Sequence, residues 1–168
     1  MKLSATIAAE INNRFHMEMQ NWFTYLQLAS FFDSKPLPGF SSWLHQQAED
    51  ELNHAKRWYD YLIKRGATPV FTDIKAPDLK LTSPMQCMKL ALELEEKTTE
   101  SIQALYVLAN KEKDFVTQFA LQSLLEGQVN EMNETRNIIE TLEMVGQNEH
   151  GMLVVDAQVL RGIQQPQA

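Results

Sequence analysis

Glu51-Leu52-Asn53-His54 sets a carboxylate and an imidazole three residues apart, which on a helix puts both on one face a single turn apart. That pair suits a divalent cation, the carboxylate supplying hard oxygen and the neutral imidazole one nitrogen. Alone the pattern is weak, because two fixed letters in four recur by chance and a solvated Glu beside a surface His fits it equally. Its weight comes from company. Glu18, Glu95, and Gln128 with Glu131 stand in three other stretches, each interrupting an otherwise apolar helical stripe.

Steps of three and four residues write those stripes. The first is Ile7, Ile11, Phe15, Glu18, Trp22, Tyr25, Ala29 and Phe32; the second is Phe40, Leu44, Gln47, Glu51, His54, Trp58 and Leu62. The third is Met88, Leu92, Glu95, Thr99, Ile102, Tyr106 and Ala109; the fourth is Leu121, Leu124, Gln128, Glu131, Thr135, Ile138, Leu142 and Val145. In each, the polar residues fall near the midpoint, and midpoints meet whichever way neighbouring helices run. Carboxylates converging in a low-dielectric core raise one another's pKa and cost several kcal/mol if left ionised and unpaired. No Lys or Arg stands near the middle of any stripe, so the expected counter-charge is metal. Four carboxylates and one neutral imidazole balance two divalent cations, and oxygen ligands with an imidazole suit iron or manganese and admit zinc.

The elements that must position these residues follow from where helix breakers cluster. A first helix is expected from about Ser4 to Phe32, stopped by Pro36, Pro38 and Gly39. A second runs from about Phe40 to Arg65 and ends at Gly66, a C′ glycine. Residues 66–83 hold Pro69 and Pro77 without helical period and read as an extended connection. Ser83-Pro84 then offers an N-cap and a first-turn proline for a third helix to about Asn110. A fourth is expected from about Asp114 to Val145 and a short fifth from Met152 to Arg161, with a polar, frayed tail from Gln164 to Ala168. Helices of this length span about 40 to 48 Å. Short loops make the first and second, and the third and fourth, antiparallel. The middle connection reaches about 59 Å if extended, enough to run the length of the bundle and make the second and third helices parallel. The expectation is an all-α, single-domain chain (residues 1–168): a four-helix bundle with one long crossover and a short C-terminal helix.

Composition narrows the function. With 22 acidic and 15 basic side chains and a net charge of -7, the chain is a poor match for a nucleic acid backbone. Its one cysteine, Cys87, cannot form an internal disulfide or a thiolate cluster, and a reducing cytosol suits it. No window approaches the roughly 20 apolar residues of a membrane span. The stretch up to Arg14 reads as helix rather than export signal.

The assembled residues resemble the non-haem ferritin family over nearly the whole chain. The likeness is carried by Glu18 with Tyr25 seven residues on, Ala48-Glu49-Asp50-Glu51-Leu52-Asn53-His54-Ala55, Leu94-Glu95-Glu96-Lys97, and Leu125-Glu126-Gly127-Gln128-Val129-Asn130-Glu131. The resemblance implies one iron site from Glu18, Glu51 and His54, with Glu51 bridging to a second formed with Glu95 and Glu131. Gln128 would be a ligand or a hydrogen-bonding neighbour, and Tyr25 a one-electron donor. It further implies a cytoplasmic 24-subunit cage that oxidises Fe(II) with O2 or H2O2 and stores ferric oxo-mineral.

Departures from that pattern set further expectations. The fourth helix lacks a second Glu-x-x-His and Leu52 follows the bridging Glu, so no haem is expected. A third iron site would fall on Asp50, Gly127, Asn130 and Glu131, two of them without a carboxylate, and is expected to be absent or weak. Gln118 and Leu121 stand where animal ferritins place acidic pore residues, while Gln47 and Asp50 could line a hydrophilic path. His16, His45 and His150 read as surface histidines, and the Met residues as core filler. Two other functions compete: a di-metal enzyme acting on an organic substrate, for which no pocket-building insertion is apparent, and an interaction bundle whose core polar residues fix helix register.

Overall fold

A computed structural model describes residues 2–164, and its five helices follow the expected order. Helix α1 spans Ala5–Asp33 and begins where Ser4 Oγ accepts from the Ile7 N–H at 3.1 Å. Helix α2 spans Pro38–Lys64, α3 Pro84–Lys111 and α4 Phe115–Val145. The N-cap of α3 is Ser83, which accepts from the Gln86 N–H, and that of α4 is Asp114, which accepts from the Thr117 N–H. Helix α5 spans Glu149–Gln164, three residues longer at each end than its apolar run suggested; it starts early because the Asn148 side chain accepts from the Gly151 N–H. It takes in Gln164, the first residue of the expected tail; residues 165–168 lie outside those described.

Helix α1 packs chiefly on α2 and α3 on α4, α1 meets α3 to join the two hairpins, and α5 lies across α2 and α4. The long connection runs up the face of α1. Asn12 and the Val70 backbone exchange two hydrogen bonds, at 3.1 and 2.8 Å, and Gln20 and the Lys75 backbone exchange another two. Between them, His16 bonds the Val70 carbonyl and Thr72, and Phe71 meets Phe15 edge-on at 5.5 Å. Connection numbering rises with α1 numbering, so the crossover travels from the end of α2 to the start of α3 and makes those helices parallel.

The interior has two apolar halves. One gathers Tyr25, Leu28, Phe32, Phe40, Trp43, Leu44, Met88, Ile139 and Leu142. The other gathers Ile7, Ile11, Phe15, Trp58, Leu62, Ile102, Leu105 and Leu121. Each buried Leu, Ile or Phe contributes about 1.5–3 kcal/mol. Between the halves lies a buried polar layer containing Glu18, Asn21, Glu51, Glu95, Thr98 and Gln128.

Candidate metal centre

Glu18 is 2% exposed, Glu51 4% and Glu95 2%, while His54 and Glu131 are half-buried at the edge of the layer. Ligand atoms of Glu18, Glu51 and His54 lie within 4.8 Å of one another, the one such group of three among the described residues. His54 Nδ1 stands 3.5 Å from Glu51 Oε2, and its Nε2 3.9 Å from Glu131 Oε1. Gln128 Nε2 donates to Glu95 Oε2 at 3.4 Å and to Glu131 Oε2. Its Oε1 accepts from Thr99 at 2.8 Å. The Tyr25 hydroxyl donates to Glu95 Oε1. All six candidate ligands and the tyrosine therefore meet at one height.

Burial pushes the Glu51 carboxyl well above the usual range, and the charge of Glu18 pushes the same way. Burial also raises Glu95, and it lifts Glu131 to about 7 with help from the neighbouring Glu95. The Tyr25 phenol is pushed well up by burial and then by the Glu95 charge, so it is a neutral donor at physiological pH. Glu18 Oε2 and Glu51 Oε2 are buried and have no hydrogen-bond partner. Two orphaned carboxylate oxygens in one cluster are costly without a bound cation, and with His54 these residues form a donor set suited to one.

One expectation fails. Arg14, absent from the stripe as spaced above, is 1% exposed and donates to Glu18 Oε1 from one turn before it. A buried cation does stand near the middle of the first helix, and the charge of the layer is one unit less negative than four carboxylates alone would make it. Its i, i+4 spacing to Glu18 was the available signal. Asn21 was also missed. Its Nδ2 donates to Glu51 Oε1 at 3.2 Å and to Thr98 Oγ1 at 3.0 Å, tying α1 to both α2 and α3. Trp58, placed on the inward stripe as an apolar residue, donates its indole N–H to Glu18 Oε1 at 3.0 Å. In α3 the expected Met88, Glu95, Ile102 and Ala109 are buried, and Ala91, Thr98 and Leu105 are buried as well, each one residue before the expected Leu92, Thr99 and Tyr106, which are half-buried.

A cavity of about 390 Å³ opens between α2 and α4 beside Glu18, His54, Gln128 and Glu131. Its other walls include Trp58, Ile102, Leu121 and Leu124, and small residues on α4 (Ala120, Ser123, Gly127) make the room without any insertion. His45 and His150 are exposed, His45 bonding Asp33 at 3.2 Å, and His16 serves the crossover.

Residues 8–145 match the family model described as ferritin-like domain. The chain belongs to the ferritin family. This ferritin is 31% identical to a bacterial non-heme ferritin of Staphylococcus epidermidis over 86% of its own length and 87% of that protein's. It is 33% identical to soma ferritin of Lymnaea stagnalis, covering 82% of each chain. Among solved structures, the open-pore ferritin of the hyperthermophilic archaeon Archaeoglobus fulgidus superposes with a TM-score of 0.91 at 30% identity, over 94% of this chain and 96% of that one. A humanized archaeal ferritin gives the same score at 33% identity, over 95% and 96%. Across the described residues of this ferritin, no helix is long and apolar enough to cross a membrane.

Proposed function

We propose that this ferritin stores iron, oxidising Fe(II) to Fe(III) at a di-iron centre within each subunit and depositing ferric oxo-mineral inside a 24-subunit cytoplasmic cage. The observation that carries the reading is the pair of orphaned oxygens, Glu18 Oε2 and Glu51 Oε2, beside His54. One iron is held by Glu18, Glu51 and His54. The other is held by Glu51, Glu95 and Glu131, with Gln128 bonded to the last two. Two Fe(II) give up one electron each, and O2 takes the pair with two protons and leaves as H2O2. Holding two irons side by side lets both electrons pass without a free one-electron product. Glu51, shared by both positions, and Tyr25, whose hydroxyl donates to Glu95 and holds that carboxylate in place, do the catalytic work. No haem takes part.

The test is native mass together with oxygen consumed and iron retained as Fe(II) is added, beginning at two per subunit. A particle of about 24 subunits that oxidises the first two quickly and retains many more supports storage. A small oligomer that stops at two defeats it.

The cavity beside His54 and Glu131 supports a second reading, a di-metal oxidase acting on a small, mostly apolar organic molecule. That reading requires a reductant-dependent product from such a molecule; its absence, with iron retained in bulk, removes it.

A further inference from the structure

Arg14 is a buried charge with no task in the chemistry above. Its Nη2 donates to Glu18 Oε1, its Nη1 faces Met17 Sδ at 2.8 Å, and its Nε has no hydrogen-bond partner. The guanidinium carbon lies 5.7 Å from the centre of the Trp58 ring, and Trp58 Nε1 donates to the same Glu18 oxygen at 3.0 Å. Glu18 Oε1 is therefore held by two donors, one charged and one neutral, while Oε2 is left without any.

The other carboxylates of the layer are treated differently. Glu51 receives from Asn21, Glu95 from Tyr25 and Gln128, and Glu131 from Gln128, all uncharged donors. Only Glu18 carries a fixed counter-ion. An arginine does not deprotonate in a protein, so its positive charge stays when a cation arrives.

We propose that Arg14 is a positioning residue that confines Glu18 to ligation through Oε2 alone and weakens the grip of the Glu18–Glu51–His54 position on a divalent cation. The proposal rests on the metal-centre reading. A fixed unit charge across one carboxylate from a divalent ion repels it by an amount equivalent to about tenfold in affinity, even with water-like screening. A site that must take up Fe(II) and then pass the oxidised ion onward gains from a hold that is specific in geometry and moderate in strength.

The test uses the metal-stripped full-length assembly titrated with Co(II), whose visible absorption reports ligation without turnover. Arg14→Gln keeps a hydrogen-bond donor and removes the charge, so one of the two Co(II) ions per chain is expected to bind about tenfold more tightly. Arg14→Lys keeps the charge and is expected to stay within about threefold of the parent protein. Equal or weaker binding in Arg14→Gln, or tightening in Arg14→Lys as well, overturns the proposal. Should both variants misfold, Trp58→Phe decides it: that change removes the neutral donor to Oε1 and keeps an aromatic ring beside Arg14, so binding within about threefold of the parent protein is expected, and a tenfold tightening overturns the proposal by showing that hydrogen bonding rather than charge sets the affinity. A parent protein that binds no Co(II) defeats the metal centre itself, whereas two bound Co(II) ions with no response to Arg14→Gln defeat only this role.

Discussion

Asp156 on α5 caps the start of α2, its Oδ2 accepting from the Gly39 backbone N–H at 3.0 Å. Its Oδ1 accepts from Phe40 N–H at 2.9 Å, so one buried carboxylate satisfies two of the donors that a helix N-terminus leaves free. Leu37, the residue at the N-cap position itself, makes no side-chain cap. The last helix thereby holds the beginning of the second.

Gly39→Ala is expected to dislodge α5. A Cβ there would stand 1.9 Å from the Asp156 carbonyl oxygen and 2.8 Å from its carbon, both backbone atoms that cannot step aside. Overpacking of this kind costs about 1–3 kcal/mol or more. Thermal unfolding should show the loss in Tm, and a variant as stable as the parent protein would mean that α5 can slide along α2.

His54→Ala is expected to cut the initial rate of Fe(II) oxidation by about a hundredfold or more while leaving the assembly intact, since metal-centre ligands act on the reacting ion directly. Stopped-flow oxygen uptake beside native mass separates the two effects. An unchanged rate would remove His54 from the centre.

Tyr25→Phe removes the hydroxyl bonded to Glu95 and keeps the ring in the core. The expected outcome is two bound metals per chain as before, with slower repeated turnover and a stability cost of about 1–3 kcal/mol for the partner left unsatisfied. Loss of one metal instead would make Tyr25 a structural support of the Glu95 position.

Asp114 supplies a pH dependence away from the buried polar layer. Burial pushes its carboxyl up, but hydrogen bonds from Arg65 at 2.9 Å and from the Thr117 N–H and hydroxyl outweigh this and hold it below the usual range. A depressed folded-state pKa contributes stability that is present above the unfolded-state value of about 3.9 and lost as pH falls through the folded one. Asp114→Asn should therefore cost about 1.5–3 kcal/mol near neutrality and progressively less in acid. Urea midpoints taken from pH 7 down to 3 would check the convergence; a gap that stays constant with pH would assign the effect to packing.

Added divalent ion should raise the Tm of the metal-free protein, by the equivalent of about 2.7 kcal/mol at a hundred times the dissociation constant. Glu51→Ala should abolish most of the gain, because on the proposed function Glu51 serves both metal positions. A full gain in that variant would place the stabilising ion elsewhere.

Much of this was legible in the sequence because the deciding signal was a violation of pattern. Carboxylates at Glu18, Glu51, Glu95 and Glu131 in apolar stripes mark a polar layer, and proline and glycine placement fixes the helix order. Less legible were contacts whose direction depends on rotation about a helix axis. Arg14 lies a turn before Glu18 yet off the drawn stripe, and Asn21 three residues after it, and both turn inward because the stripe is wider than a single row. In α3 the buried face holds the drawn positions Met88, Glu95, Ile102 and Ala109 and widens by one residue to take in Ala91, Thr98 and Leu105, which is how Thr98 reaches Asn21. The Trp58 indole N–H and the Asp156 cap depend on a distant partner, and neither has a local spacing to announce it.

The two hairpins each bring an incomplete share of the polar layer, Glu18, Glu51 and His54 on one side of the crossover and Glu95, Gln128 and Glu131 on the other. During synthesis the first hairpin leaves the ribosome with half of the polar layer. On the proposed function, oxygen chemistry is then withheld until the second hairpin has docked, so a half-made subunit lacks the second iron position that paired electron transfer needs.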